Sequence, residues 1–159
     1  MALLSFLNAG WLGNLFDSTP TPRYTMPIDL SKAGNVAETD IRIDEKYSVY
    51  VDLVYDHRKQ KVNLARYSEI SDKYFGRDRH ALPIFPIKLT VMKHEKTGTS
   101  MVVDKIYYTN SRMSSSDRLI DEFELQKGSK YHIKVETVED YPELAELNVE
   151  VAIGYIKAK

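Results

Sequence analysis

The stretch Tyr47-Ser48-Val49-Tyr50-Val51-Asp52-Leu53-Val54-Tyr55 places an apolar or aromatic side chain at every odd position. In an extended chain successive side chains point to opposite faces, so Tyr47, Val49, Val51, Leu53 and Tyr55 line one face of a sheet. A helix would scatter the same five positions around its axis. The C-terminal stretch repeats the pattern, with Leu147, Val149, Val151, Ile153 and Tyr155 in step from Leu147 to Ile156. Before Tyr47, Ile41 and Ile43 alternate with Asp40, Arg42 and Asp44. The charged turn at Asp44 to Lys46 predicts that these two runs form a hairpin. Ile87, Leu89 and Val91 alternate with Lys88 and Thr90, and Thr97-Gly98-Thr99 predicts a turn into a returning strand over Met101 to Tyr108. Tyr24 to Leu30, Arg118 to Leu125 and Lys130 to Thr137 bring the expected total to eight strands.

Between the second and third long strands, roughly His57 to Phe85, Val62, Ala65, Ile70 and Tyr74 recur at spacings nearer three to five than two. This predicts one short helix ended by Gly76, with Pro83 and Pro86 holding the exit extended. Many alternating strands and a single helix predict an all-β, antiparallel, immunoglobulin-like sandwich; a parallel α/β fold would need repeated helical crossovers. The run Leu125-Gln-Lys-Gly128-Ser-Lys-Tyr131 sharpens this. A Gly permits a tight reversal and a Tyr opens the next strand, as in a tyrosine corner, where the phenol hydroxyl reaches back to the backbone. An ordinary hairpin with a half-buried Tyr fits the same residues.

At 159 residues the chain suits one domain with its own core. We read residues 24–159 as that domain, with the insertion at about 57–85, and residues 1–23 as an apolar segment followed by a Pro-containing linker. Residues 1–16 carry no charge. They lack the basic start of a secretory signal and the Cys of a lipoprotein signal, and they are short for a transmembrane helix. The remnant of an export or anchor segment, a short amphipathic helix docked on the domain, and a frayed terminus all fit. A net charge of −1 removes the drive for non-specific binding to nucleic acid or anionic lipid. With no Cys there is no disulfide, thiolate nucleophile or Cys-ligated metal.

Several segments are similar to one known family: Ile28-Asp-Leu-Ser-Lys-Ala-Gly34 with Glu38-Thr-Asp-Ile-Arg42, Pro86-Ile-Lys-Leu89, Lys130-Tyr-His-Ile-Lys-Val-Glu136, and Asp140-Tyr-Pro-Glu-Leu144 with Ile153-Gly-Tyr155. They resemble an uncharacterised family of small bacterial, often lipoprotein-anchored, β-sandwich domains of unknown function. The resemblance covers about residues 24–157 and implies a place in the cell envelope or periplasm. The lipid-accepting Cys is missing beside Gly10 and Trp11, which keeps a cytoplasmic location open. The family brings no catalytic residue to carry over. By analogy alone, some small envelope proteins of this type act as immunity partners of toxins delivered between bacteria.

Chemistry-bearing residues are dispersed. His57, His80, His94 and His132 show no metal-ligand spacing, so no metal or other cofactor is expected. Ser114-Ser-Ser116 lacks a nucleophile elbow, and nothing in the spacing selects a pair among Asp52, Asp56, Asp104 and Asp121. Charge is organised instead. From Asp56 to His80, seven cations (Arg58, Lys59, Lys61, Arg66, Lys73, Arg77, Arg79) face four acids (Asp56, Glu69, Asp72, Asp78), with Tyr67, Tyr74 and Phe75 interleaved. Glu136 to Glu150 carries six acids (Glu136, Glu139, Asp140, Glu143, Glu146, Glu150) and no Lys or Arg. Two solvated faces explain such runs as well as an interface does.

Because function tends to sit on irregular segments held by a rigid sheet, we expect a non-enzymatic protein-binding module, in its narrower form an immunity protein. Arg58, Lys59, Arg66, Tyr67, Tyr74, Arg77 and Arg79 are the expected contact residues for an unidentified protein partner. The alternative is a structural or adhesive cell-envelope domain. A third reading is an unrecognised hydrolase or sugar-binding enzyme.

Overall fold

The computed structural model describes residues 19–55, 57–59, 62–75, 86–108, 110–111 and 117–156. These form nine strands: β1 (Tyr24–Ile28), β2 (Val36–Arg42), β3 (Ser48–Tyr55), β4 (Pro86–Glu95), β5 (Gly98–Tyr108), β6 (Asn110–Ser111), β7 (Asp117–Glu124), β8 (Lys130–Thr137) and β9 (Val149–Ile156). One helix, α1 (Leu64–Phe75), and two 3-10 turns, His57–Lys59 and Pro142–Glu146, complete the described elements. The extra strand, β6, is two residues long and too short to leave a periodic signal in sequence. Gly76 and Pro83, expected to end the helix and stiffen its exit, lie outside the described residues.

The strands form two antiparallel sheets, one ordered β1-β9-β3-β7-β6 and the other β2-β8-β4-β5. Their facing sides supply the core. The odd residues of β3 (Val49, Val51, Leu53) are fully buried, as are Leu89 and Val91 of β4, Ile133 and Val135 of β8 and Val151 of β9. The expected all-β sandwich is therefore the fold. Period-two alternation produces it directly, because each strand offers one apolar face to the opposite sheet about 10 Å away.

The β4–β5 hairpin forms as expected, with Glu95 opposite Gly98. The hairpin expected between Ile41–Ile43 and Tyr47–Tyr55 does not form. β2 pairs with β8 in one sheet, while β3 pairs with β7 and β9 in the other. The connection after Arg42 is an arch across the core. Ile43 is fully buried there; its N–H donates to the Ser129 carbonyl at 3.0 Å, and its carbonyl accepts from Gly128 N–H at 2.7 Å. Alternation assigns faces and leaves pairing partners free, and a short charged connection serves a hairpin or an arch alike.

The Leu125–Tyr131 run is a tyrosine corner. Gln126 N–H donates to the Tyr131 hydroxyl at 2.9 Å, which joins the end of β7 in one sheet to β8 in the other. Gly128 sits at φ +82° in the reversal, a conformation that costs an L side chain about 1–2 kcal/mol.

Candidate binding surfaces

Three surfaces bring polar, charged or exposed apolar groups together. The first contains the expected contact residues. Asn63 caps α1: its Oδ1 accepts from Arg66 N–H at 2.9 Å. Ile70, Ser71 and Tyr74 form the buried stripe of the helix, and Tyr67 is half-buried with its ring centroid 5.8 Å from that of Tyr55. The cations of the insertion then meet the acids of the Glu136–Glu150 run. Arg66 bridges Glu146 (Nη2 to Oε1, 2.9 Å) and Glu69 (3.0 Å), Lys73 pairs with Glu143 at 2.7 Å, and Lys59 pairs with Glu150 at 2.9 Å. The Tyr74 hydroxyl donates to Glu143 at 3.2 Å, and its ring meets Tyr141 edge-on at 6.2 Å. Hydrogen bonding to Lys73 holds the Glu143 carboxyl below its ordinary range, and hydrogen bonding to Arg66 does the same for Glu146.

Three cations of one charge run thus pair with three acids of the other, and two of these pairs strap α1 onto the Pro142–Glu146 turn. Of the expected contact residues, Lys59 and Arg66 are ion-paired within the chain and Tyr74 is in the core, while Arg58 is exposed on its 3-10 turn. Arg77 and Arg79 lie outside the described residues.

The family-like segments Ile28–Gly34 and Asp140–Leu144 also meet. Ala33 N–H donates to Asp140 Oδ1 at 2.8 Å, and Tyr141 N–H donates to the Ser31 carbonyl at 3.0 Å. The buried Thr137 hydroxyl donates to the Lys32 carbonyl at 2.5 Å and accepts from Asn35 N–H at 2.9 Å. These residues fasten the β1–β2 loop to the end of β8, a structural use of the motifs.

The second surface is the outer face of the β2-β8-β4-β5 sheet. Strand pairing brings His94 of β4 and His132 of β8 to one carboxylate on β2, although sequence separates them widely. Asp40 Oδ1 lies 2.9 Å from His132 Nδ1 and 3.2 Å from His94 Nε2, and His132 Nε2 lies 3.4 Å from Glu38. Burial pushes the Asp40 carboxyl up, but hydrogen bonds from His132 and His94 outweigh it and hold the group below its ordinary value. Among the described residues no three His, Asp or Glu side chains are placed to hold a metal ion. The other residues weighed for chemistry do not join this cluster. Asp104 pairs with Lys88 at 3.2 Å. Asp121 lies on the other sheet and hydrogen-bonds Tyr107, whose hydroxyl is pushed up to about 12, first by burial and then by that carboxylate. His80, Asp56 and Ser114–Ser116 are outside the described residues.

The third surface is the β5 edge. β5 is eleven residues long and, among the described residues, ends its sheet, pairing only with β4. It exposes Met101 (59%), Val102 (45%), Ile106 (43%) and Tyr108 (66%). A row of unpaired N–H and C=O groups beside exposed apolar side chains is a template for another strand, and proteins ordinarily blunt such edges. The other edges here are blunted. β1 contains Pro27, β6 is two residues long, and β2 turns Glu38 and Asp40 outward. Sequence reading gave Met101 to Tyr108 only as a returning strand, because alternation does not distinguish an edge from a centre.

The described residues thus form a two-sheet antiparallel β-sandwich with a helix strapped at its side and an apolar edge strand. The chain belongs to a family described as a domain of unknown function (DUF5625), whose profile matches residues 25–155. The uncharacterised family read from the motifs is thereby established. A crystal structure of a protein from Sulfurospirillum deleyianum is similar, with a TM-score of 0.72 at 22% identity, covering 85% of this chain and 98% of that one. At that identity the likeness concerns the fold alone. No curated protein matches the chain. No helix among the described residues is long and apolar enough to cross a membrane.

Proposed function

We propose that this domain is a non-enzymatic protein-binding module that receives an extended segment of a partner along β5. One observation carries the reading: an eleven-residue edge strand with Met101, Val102, Ile106 and Tyr108 exposed along it. Main-chain hydrogen bonds of an added strand supply affinity, and alternate side chains supply specificity. The narrower role of immunity protein adds only the identity of the partner, a toxin held through this edge. The self-paired cations of the insertion favour β5 over α1 as the contact surface.

The test is affinity capture by the full chain, by Ile106→Lys and by Arg58→Ala. Loss of a specific partner with Ile106→Lys and its retention with Arg58→Ala supports docking at β5. The reverse pattern returns the contact to the insertion, and equal capture by all three rejects both surfaces.

A further inference from the structure

We infer that the segment received by β5 carries an aspartate or glutamate opposite Lys105 and apolar side chains opposite Ile106 and Tyr108, and that Lys105 is the residue that selects it. This rests on the reading of β5 as a docking edge and names the chemistry of its occupant.

The two faces of β5 make different demands. Val103 and Tyr107 pack against the core, so Lys105 between them points to the inner face of its sheet, opposite the fully buried Leu89 of β4. Asp104, Ile106 and Tyr108 point to the outer face, where Asp104 is already held by Lys88 and by the Thr90 hydroxyl, each at 3.2 Å. Lys105 is exposed. Its ammonium lies 4.8 Å from the centroid of the Tyr107 ring, and no carboxylate among the described residues pairs with it. An inward-pointing charge on an edge strand opposes any added strand that sets a like charge or an apolar side chain against it. Directly opposite residues of an antiparallel pair share a face and lie closest together, so an acid at that one position satisfies Lys105. The outer face then asks for apolar residues against Ile106 and Tyr108. Every described strand pair is antiparallel. In an added strand of that sense the two apolar residues stand one and three positions before the acid. A second copy of β5 does not meet this pattern, because its one acid, Asp104, points to the outer face and cannot come opposite Lys105. Lys105 thus admits a partner strand and turns away self-pairing.

Selection from a displayed library of randomised linear peptides tests this, with the full chain, Lys105→Glu and Ile106→Lys as baits. The wild-type chain should enrich Asp or Glu preceded at one and three positions by apolar residues. Lys105→Glu should enrich Lys or Arg at the same place. It should bind a synthetic peptide of the wild-type consensus about three- to tenfold more weakly, and binding should return when the peptide's acid is changed to Lys. Ile106→Lys should bind neither peptide. Light scattering of the wild-type chain should give the mass of one 18.3 kDa chain. Far-UV circular dichroism and a thermal melt confirm that each variant is folded.

A single consensus shared by the wild-type chain and Lys105→Glu overturns the role of Lys105; if that binding is still lost on Ile106→Lys, docking at β5 survives with a different occupant. A double mass that Ile106→Lys returns to the single-chain value seats a second copy on the edge and overturns the partner strand. If the wild-type chain enriches no peptide, or Ile106→Lys binds the selected peptide as the wild-type chain does, both readings fall.

Discussion

Thr137 shows how a single hydroxyl fixes a loop. Its side chain is buried and satisfies two backbone groups about a hundred residues away in sequence, the Lys32 carbonyl and the Asn35 N–H. Thr137→Val keeps the shape and leaves both groups unpaired, so it should destabilise by about 1–3 kcal/mol in urea unfolding. Tyr131→Phe removes only the hydroxyl that accepts from Gln126 N–H, and a loss of about 1 kcal/mol is expected in the same measurement. Asp40 gives a pH dependence. Its carboxyl is held below its ordinary value in the fold, so its stabilising contribution is complete above the unfolded value near 4 and is lost as pH falls through the lower folded value. Asp40→Asn should therefore lower the urea midpoint at pH 5 and make little difference at pH 2.5. A pH-independent gap between the two proteins would assign Asp40 a packing role instead. The tyrosine corner was legible in sequence because its residues lie within one short run. The Asp40–His94–His132 cluster was not, because it exists only through strand pairing.

At the scale of elements, α1 is held by two kinds of contact, and their sizes can be ranked. Ile70 is buried to 1% exposure, and truncating such a residue costs about 2–5 kcal/mol. The Arg66–Glu146 and Lys73–Glu143 pairs sit at the surface, where salt screens them. Ile70→Ala should consequently release α1 far more than Arg66→Ala does, as amide exchange over residues 64–75 would read, and only the Arg66 effect should shrink in high salt. Comparable effects would mean that the straps, not the buried stripe, hold the helix. The spacing of Ile70 and Tyr74 announced this helix, and Ala65, counted in the same periodicity, proves exposed. Its docking site was not announced. Arg66 and Glu146 are eighty residues apart, and two runs of opposite charge read equally well as two solvated faces. The misplaced hairpin has the same origin: inward faces are written in each strand, whereas partners are chosen by the assembled sheets.

For the whole molecule, position in the sheet decides what a segment is worth. β9 closes the described domain, yet it lies inside its sheet, pairing with β1 on one side and with β3 on the other. Its Val149, Val151 and Ile153 are all buried. Without it, β1 loses its partner and β3 keeps only β7, so a face of the core opens to water along with two unpaired strand edges. β5 stands at the opposite extreme, since its outward side chains contribute little to the core and a charge at Ile106 leaves the sandwich intact. A chain ending at Asn148 should accordingly show no cooperative thermal transition, while full-length Ile106→Lys should melt within a few degrees of wild type. A cooperative melt from the truncated chain would show that β1 and β3 can close the sheet without β9. Loss of the transition in Ile106→Lys would place β5 in the core, and the open edge on which the binding reading stands would disappear.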